Sequence, residues 1–113
     1  MVITMESMEY QIYIGCRDAQ SDSEIVPVHE LKEMVSRFFS QRKIDFSIIN
    51  AQGGYLHDNG WFITETSLCI NIVEPSDFDI IKLARSLSMF MNQECSLIIR
   101  NTVKSDFLKV YHI

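Results

Sequence analysis

The sequence predicts one α+β domain, and three features of its 113 residues support that class. Several stretches alternate apolar and polar residues, which is the pattern of a strand with one buried face. Two other stretches repeat apolar residues at the spacing of an amphipathic helix. The stretch Phe46–Val73 contains His-Asp-Asn-Gly between two alternating runs, which is typical of a tight hairpin turn. A chain of this length has room for a single core.

The first predicted elements are a strand and a helix separated by a polar loop. Residues 1–7 have neither the basic nor the apolar segment of a signal peptide, so we expect a flexible tail there. The strand is predicted from Met8 to Gly15, because every second residue is apolar. The helix is predicted over Pro27–Gln41, since proline suits a first helical turn. Its apolar stripe consists of Val28, Leu31, Met34, Val35, Phe38 and Phe39.

The hairpin comes next, and its register decides which of its residues face the core. If the turn is centred between Asn59 and Gly60, Gly54 lies opposite Glu65. A bulge at Gly53 and Gly54 would shift this register. The register predicts one apolar hairpin face, made of Ile49, Ala51, Leu68, Ile70 and Ile72.

The last third of the chain predicts a second helix and a fourth strand. The helix is expected to open at Pro75–Asp77 with Ser76 or Asp77 as its cap, and to end at Asn92. The strand is expected over Glu94–Arg100, and residues 103–113 are expected to form a short fifth strand or an arm that exchanges with another subunit. The stripe of the second helix consists of Ile80, Leu83, Ala84, Leu87, Phe90 and Met91.

The order of elements is the split βαββαβ pattern of ferredoxin-like folds. Right-handed crossovers then place strands one and three in the centre of a four-stranded antiparallel sheet, with both helices on one face. The mixture of aromatic, aliphatic and amide side chains on the other, open face predicts an interface in a homo-oligomer, most simply a dimer. The alternative is a monomer with scattered exposed apolar residues. The residues expected there are Gln11, Tyr13, Phe46, Ile48, Asn50, Ser67, Cys69, Asn71, Ser96, Ile98 and Arg100.

Composition excludes several functional classes. The net charge of −5 argues against direct binding to nucleic acid, and no apolar run is long enough to span a membrane. The three cysteines lack zinc-ligand spacing and are typical of free thiols in a reducing cytoplasm. The three histidines lie in unrelated elements and no cofactor motif occurs, so we expect neither a metal nor a cofactor.

Polar residues at the hairpin end are the first candidates for a ligand site. Tyr55, His57 and Glu65 come from the hairpin, and Arg100 is expected at the end of strand four nearby. A carboxylate opposite a glycine is accessible to a ligand, because no side chain covers it. The alternative is a structural salt bridge between Glu65 and Arg100.

Gln93 and Glu94 are the second group of candidates, expected at the opposite end of the sheet. Both precede the last strand, where their side chains could bind a polar ligand. The alternative is that they cap the second helix and order the turn.

Two motifs carry a resemblance to a known family. Gly-Tyr-x4-Gly-x4-Glu occurs at residues 54–65, and Asn-Gln-Glu-Cys-Ser-Leu-Ile at residues 92–98. From Tyr10 to Arg100 the chain resembles a small bacterial and phage family with no established activity. The resemblance implies a ferredoxin-like domain. The matching positions are Gly15, Gly54, Tyr55, Gly60, Glu65, Asn92, Gln93 and Glu94, and Cys95 replaces the family's serine.

These features predict a cytoplasmic, non-enzymatic module that forms an oligomer and binds a small polar ligand or a protein. The phage members of the family imply a host-interaction role, in which the acidic surface would meet a basic partner. The alternative class is a small cofactor-independent enzyme of the dimeric α+β barrel type, with Glu65, His57 and Tyr13 in an enclosed pocket. A purely structural assembly protein is the third hypothesis.

Overall fold

The computed structural model describes residues 2–15, 27–56, 58–92 and 95–108, and within them the chain forms four strands and two helices. The four strands make one antiparallel sheet with the order β2-β3-β1-β4, as the ferredoxin-like prediction requires. The elements are β1 (Val2–Gly15), α1 (Val28–Arg42), β2 (Ser47–Leu56), β3 (Phe62–Glu74), α2 (Ile80–Met91) and β4 (Cys95–Leu108).

Both helices pack against the same face of the sheet, as predicted, and we call this the covered face. Its centre is formed by alternate residues of the two central strands, because side chains of a strand point to opposite faces in turn. The buried cluster contains Tyr10, Ile12, Ile14, Leu68, Ile70 and Ile72 from the strands and Leu31, Val35, Phe38, Phe39, Ile80, Leu83, Leu87 and Met91 from the helices.

Helix ends show which local signals were correct. Arg42 lies over the Phe38 ring at 3.6 Å and donates to the Phe38 carbonyl at 3.1 Å, so a basic side chain satisfies the end of α1. Asn92 ends α2 in the left-handed conformation, as predicted. The predicted cap at Ser76 or Asp77 is wrong. Asp79 caps α2 instead, because its carboxylate accepts from the Lys82 N–H at 3.1 Å.

The hairpin register differs by one residue from the prediction. Leu56 pairs with Phe62, so the pairing is centred on Asn59 rather than between Asn59 and Gly60. Asn59 has no positive φ, and its side-chain oxygen accepts from the Trp61 N–H at 2.9 Å. Among residues 58–61, only Gly60 is left-handed, at φ +88°. The turn therefore lacks the two left-handed positions that a two-residue loop needs.

This shift reverses the predicted faces of β2. Ile48 lies opposite Ile70 and packs on the core together with Phe46. Ile49 lies opposite Cys69 and is 58% exposed, so it belongs to the open face. A one-residue slip exchanges the two faces of a strand, because side chains alternate with a period of two.

The predicted faces of β4 are reversed as well. The pairing with β1 shifts between Tyr13 and Ile14, where Tyr13 lies opposite Leu97 but Ile14 lies opposite Cys95. This irregularity adds one residue to β4, as in a β-bulge. Ile98 consequently packs on the core, and Leu97 lies on the open face.

Two ribbons of paired strands extend from opposite ends of the sheet and give the molecule its extents of 58 × 25 × 25 Å. At one end β2 and β3 continue past Gly15, where β1 stops, and we call residues 52–56 and 62–66 the hairpin arm. At the other end residues 2–7 of β1 pair with residues 103–108 of β4. The expected tail at 1–7 is thus a strand from Val2, and the expected fifth strand is the continuation of β4 to Leu108, with residues 109–113 outside the described chain.

Candidate functional site

The open face carries a row of four side chains that crosses all four strands. Leu97, Tyr13, Cys69 and Ile49 are successive cross-strand neighbours, so their side chains lie on the same side of the sheet. Leu97 is 51% exposed and Ile49 is 58% exposed. Neither α1 nor α2 covers this row, because both helices pack on the opposite face. The open face therefore presents apolar side chains that neither helix of the described chain covers.

Polar side chains flank this row and bind one another. The Glu9 carboxylate accepts from the Asn71 amide at 3.2 Å and from the Asn101 amide at 3.4 Å. These residues come from β1, β3 and β4, so the network ties three adjacent strands together. A carboxylate that already holds two donors loses less free energy when another surface covers it.

Tyr13 and Cys69 interact at the centre of the row. A hydrogen bond with Cys69 raises the pKa of the Tyr13 phenol above 10.0, the electrostatic effect of Cys69 adds to this, and burial contributes least. Cys69 is a free cysteine that is only 6% exposed, although it lies on the open face.

The candidate residues of the hairpin are only partly brought together. Glu65 pairs with Gly53 and Gly54 pairs with Thr64, so the predicted pairing of Gly54 with Glu65 is wrong, although the residue opposite Glu65 is still a glycine. A Cβ at Gly53 would meet nothing within 4 Å, and Gly53 has no positive φ. Nothing in the described chain therefore requires a glycine there. Tyr55 pairs with Ile63 in the same arm, and His57 lies outside the described residues.

Arg100 does not belong to the hairpin end, which corrects the prediction. It lies opposite Tyr10 in the middle of β4, on the covered face, and is exposed. Measured along the strands from the paired residues Gly15 and Ser67, Glu65 lies two positions toward the hairpin tip. Arg100, opposite Tyr10, lies five positions in the other direction. Seven positions along a sheet correspond to about 23 Å, so neither a shared site nor the alternative Glu65–Arg100 salt bridge is compatible with the register.

The expected division of the polar residues between two ends of the sheet is also wrong. The central strands β1 and β3 are antiparallel, so the end of β1, the start of β4 and the hairpin all lie toward the same end. Gln93 and Glu94, which directly precede β4, are themselves outside the described residues. The described residues next to these polar segments, Gly15 and Cys95, therefore lie at the same end of the sheet as the hairpin.

A feature that the sequence did not indicate is a shallow groove between α2 and β4. It has a volume of about 430 Å³ and is lined by Ile81, Ala84, Arg85, Ser88, Met89 and Ile98. Ile81 is 41% exposed and Met89 is 84% exposed. The sequence could have indicated this groove, because Ile81 and Met89 are apolar residues of α2 that lie just outside its buried stripe. We call this feature the α2–β4 groove.

The described residues contain neither a cluster of metal-binding side chains nor a helix that could span a membrane. Within ranges 2–15, 27–56, 58–92 and 95–108, histidine, cysteine, aspartate and glutamate side chains form no group of three that could hold a metal ion. None of the helices in those ranges has the length and apolarity needed to cross a membrane.

Comparisons with known proteins identify the fold. No family model and no curated protein matches the chain. A phage SAM lyase in its apo state shares 11% identity at a TM-score of 0.56, over 96% of this chain and 94% of that chain. A phage SAM lyase in complex with S-methyl-5'-thioadenosine shares 15% identity at a TM-score of 0.50, over 86% of this chain and 90% of that chain.

A third solved structure is more distant. The GlnK–ATP complex of B. subtilis shares 12% identity at a TM-score of 0.47, over 87% of this chain and 83% of that chain. At these identities the two lyase structures establish a common fold and not a common activity, and the third similarity is too low to support an argument.

Proposed function

We propose that this chain is a homo-oligomeric binding module that assembles through the open face of its sheet. The observation that supports the proposal is the row Leu97–Tyr13–Cys69–Ile49, which places half-exposed aliphatic side chains on both sides of an aromatic residue. An apolar centre within a polar surround is the usual arrangement of an interface. A second copy of the same face supplies a complementary surface, most simply through two-fold symmetry.

The polar rim of the face suits the same role. Glu9 is the acidic residue closest to the row on β1, and its carboxylate accepts hydrogen bonds from the amides of Asn71 and Asn101. A second copy that covers the face therefore does not leave this carboxylate without hydrogen-bond donors. Its charge remains, so the apolar centre must outweigh the repulsion between two chains of net charge −5.

A matched pair of substitutions in β4 tests the assembly. Leu97→Asp places a charge in the row, whereas Leu108→Asp introduces the same change at a leucine that is 65% exposed on the other face of the strand. We expect Leu97→Asp to raise the dissociation constant of the oligomer about 10- to 100-fold, the range for central interface residues. Native mass spectrometry across a dilution series measures this. Equal subunit numbers for both variants and the unchanged chain would refute the proposal.

The proposed binding module would bind a small polar ligand at its hairpin arm. The open space at Gly53, opposite Glu65, leaves that part of the arm accessible. S-methyl-5'-thioadenosine is a suitable first probe, because a structure with this fold is described in complex with it. A ligand at a concentration of 100 times its dissociation constant adds about 2.7 kcal/mol to the free energy of unfolding. We expect Glu65→Gln to abolish the resulting rise in Tm and Glu6→Gln, on the opposite ribbon, to preserve it.

An enzyme that uses Glu65 is the second candidate, and the open space at Gly53, its cross-strand partner, favours it as well. Within one chain Tyr13 and Glu65 lie four strand positions, or about 13 Å, apart along the sheet. An active site that contains both residues would therefore have to combine Tyr13 of one copy with Glu65 of another. Incubation with SAM, followed by chromatography of the remaining SAM, tests a lyase activity. Removing a general acid or base lowers the rate about 10²- to 10⁴-fold, which is the loss we expect for Glu65→Gln if this candidate is correct.

The family resemblance and the host-interaction role stay proposals as well. They are supported by the fold that the chain shares with proteins described as phage lyases. A pull-down with the Leu97→Asp variant as the matched control separates a host partner that binds the open face from one that binds elsewhere.

A further inference from the structure

The tip of the hairpin arm exposes three large apolar side chains. Leu56 is 70% exposed, Trp61 is 73% exposed and Phe62 is 67% exposed. Leu56 and Phe62 are direct cross-strand partners, so their side chains lie on the same side of the arm. Aromatic and aliphatic side chains clustered on a projecting element are typical anchors of an interface. The tip has the properties of a segment that inserts into another surface.

The α2–β4 groove is an apolar surface of the right kind. Ile81, Arg85 and Met89 follow one another at four-residue intervals, which places them along one side of α2. Ile98 of β4 completes the opposite wall. A groove of about 430 Å³ can accept one large aromatic side chain with its neighbour.

The topology separates the tip from the groove within one chain. The sheet order β2-β3-β1-β4 puts the hairpin arm at one edge and β4 at the other. The two edges lie three strand spacings, or about 14 Å, apart, and the arm extends away from the sheet. A chain therefore cannot fill its own groove, but one copy can reach the groove of the next. A contact between two different surfaces repeats from copy to copy and closes into a ring when the rotation permits.

The charges at the two surfaces are complementary. Asp58 is exposed in the turn of the arm, between Leu56 and Trp61 in the sequence. Arg85 is exposed in the middle of the groove. Opposite charges at matching positions select the register of a contact and favour it over other arrangements. This local match counteracts the general repulsion between acidic chains.

We propose that the hairpin tip of one copy docks in the α2–β4 groove of a neighbouring copy, with Trp61 between Ile81 and Met89 and Asp58 beside Arg85. This inference rests on the proposed oligomer. A single hairpin tip in a shallow groove buries less than the roughly 1,200 Å² of a stable interface, so this contact must act together with the open face. It predicts a head-to-tail contact in addition to the face-to-face contact.

Trp61 is the only tryptophan of the chain, so its fluorescence reports on the tip alone. In the assembled protein its emission should lie at shorter wavelength and resist quenching by iodide, and dilution should reverse both effects. Met89→Asp should raise the dissociation constant about 10-fold or more and leave Trp61 accessible to iodide. Ser36→Asp adds the same charge at an exposed position of α1 and should change neither quantity.

A charge exchange tests the register of the contact. Asp58→Arg and Arg85→Glu should each weaken assembly about 3- to 10-fold, and the double variant should restore it, because the pair is re-formed with reversed polarity. Restoration cannot result from misfolding. An oligomer that is disrupted by Leu97→Asp but unaffected by Met89→Asp would overturn this inference alone. Protection of Trp61 that persists in Met89→Asp would also overturn it, and a monomer at every concentration would overturn the proposed function as well.

Discussion

The two faces of the sheet use apolar residues in different ways. On the covered face Ile12, Ile14 and Ile70 are completely buried beneath the two helices. On the open face Ile49 and Leu97 remain about half exposed, although their strands belong to the same sheet. The first set contributes to folding because its area is removed from water within one chain. The second set remains available for a partner, so substitutions there should separate stability from assembly.

The largest expected difference is in the free energy of unfolding. Phe38→Ala empties a fully buried position and should cost about 3–5 kcal/mol. Ile49→Ala removes a side chain that is 58% exposed and should change stability by about 0.5 kcal/mol or less. Urea unfolding followed by circular dichroism, at concentrations where the chain is monomeric, measures both. A loss at Ile49 as large as the loss at Phe38 would mean that the open face is part of the core.

Two glycines of the hairpin sharpen the comparison, because the same substitution should act in opposite directions. Gly53→Ala meets no neighbour and no positive φ, so a smaller unfolded-state entropy should stabilise the monomer by about 0.4–1 kcal/mol. Gly60→Ala forces a side chain into φ +88° and should destabilise it by about 1–2 kcal/mol. Thermal unfolding of the two variants measures both changes.

The same glycine pair also tests the proposed use of the arm. If the space at Gly53 serves a ligand or a neighbouring copy, Gly53→Ala should weaken ligand binding or assembly while it stabilises the monomer. A stabilised variant with unchanged binding and unchanged subunit number would remove Gly53 from the proposed site.

The smallest effect is expected at the end of the covered face, where Glu74 lies near Asp45. Burial raises the pKa of the Glu74 carboxyl above its ordinary value of 4.5, and repulsion from Asp45 raises it further. The folded chain therefore binds this proton more tightly than the unfolded chain. As the pH rises from about 4.5 through the raised pKa, the free energy of unfolding should fall, and above that range it should level off.

Glu74→Gln removes this penalty. The variant should be more stable than the unchanged chain at pH 7 by about 0.5 kcal/mol or less, because the site is partly solvated. The advantage should disappear at low pH, where Glu74 is protonated in both states. Glu33→Gln, at an exposed position of α1, is the control. A stability difference that is independent of pH would contradict the assigned cause.

The central strands and helices were predictable because their patterns are unambiguous. From Met8 onward β1 alternates apolar and polar residues, as most of β3 does, and both helices have one apolar stripe. Residues 2–7 of β1 lack this alternation, which is why they were predicted as a tail. The helix predictions missed only ends, where the cap is a local choice between several acidic and hydroxyl residues.

The edge strands were predicted, but the faces of their residues were not predictable, because both strands carry consecutive apolar residues. Ile48 and Ile49 fit either face of β2, and Leu97 and Ile98 fit either face of β4. Register alone decides between the faces, and it depends on a turn conformation and a bulge that the pattern does not encode. The candidate site failed for the same reason, since Arg100 was placed by assuming where β4 ends and how the central strands run.

Pairing of Val2 with Leu108 has a consequence for synthesis of the chain. The first half of β1 is synthesised before the end of β4, its only strand partner among the described residues. Until then this half of the strand is an unpaired edge that can bind other extended segments. Val2 and Leu108 are far apart in the sequence, and contacts between distant residues form slowly, so we expect this ribbon to form late. We therefore expect a holdase chaperone to bind the first half of β1 while it is unpaired.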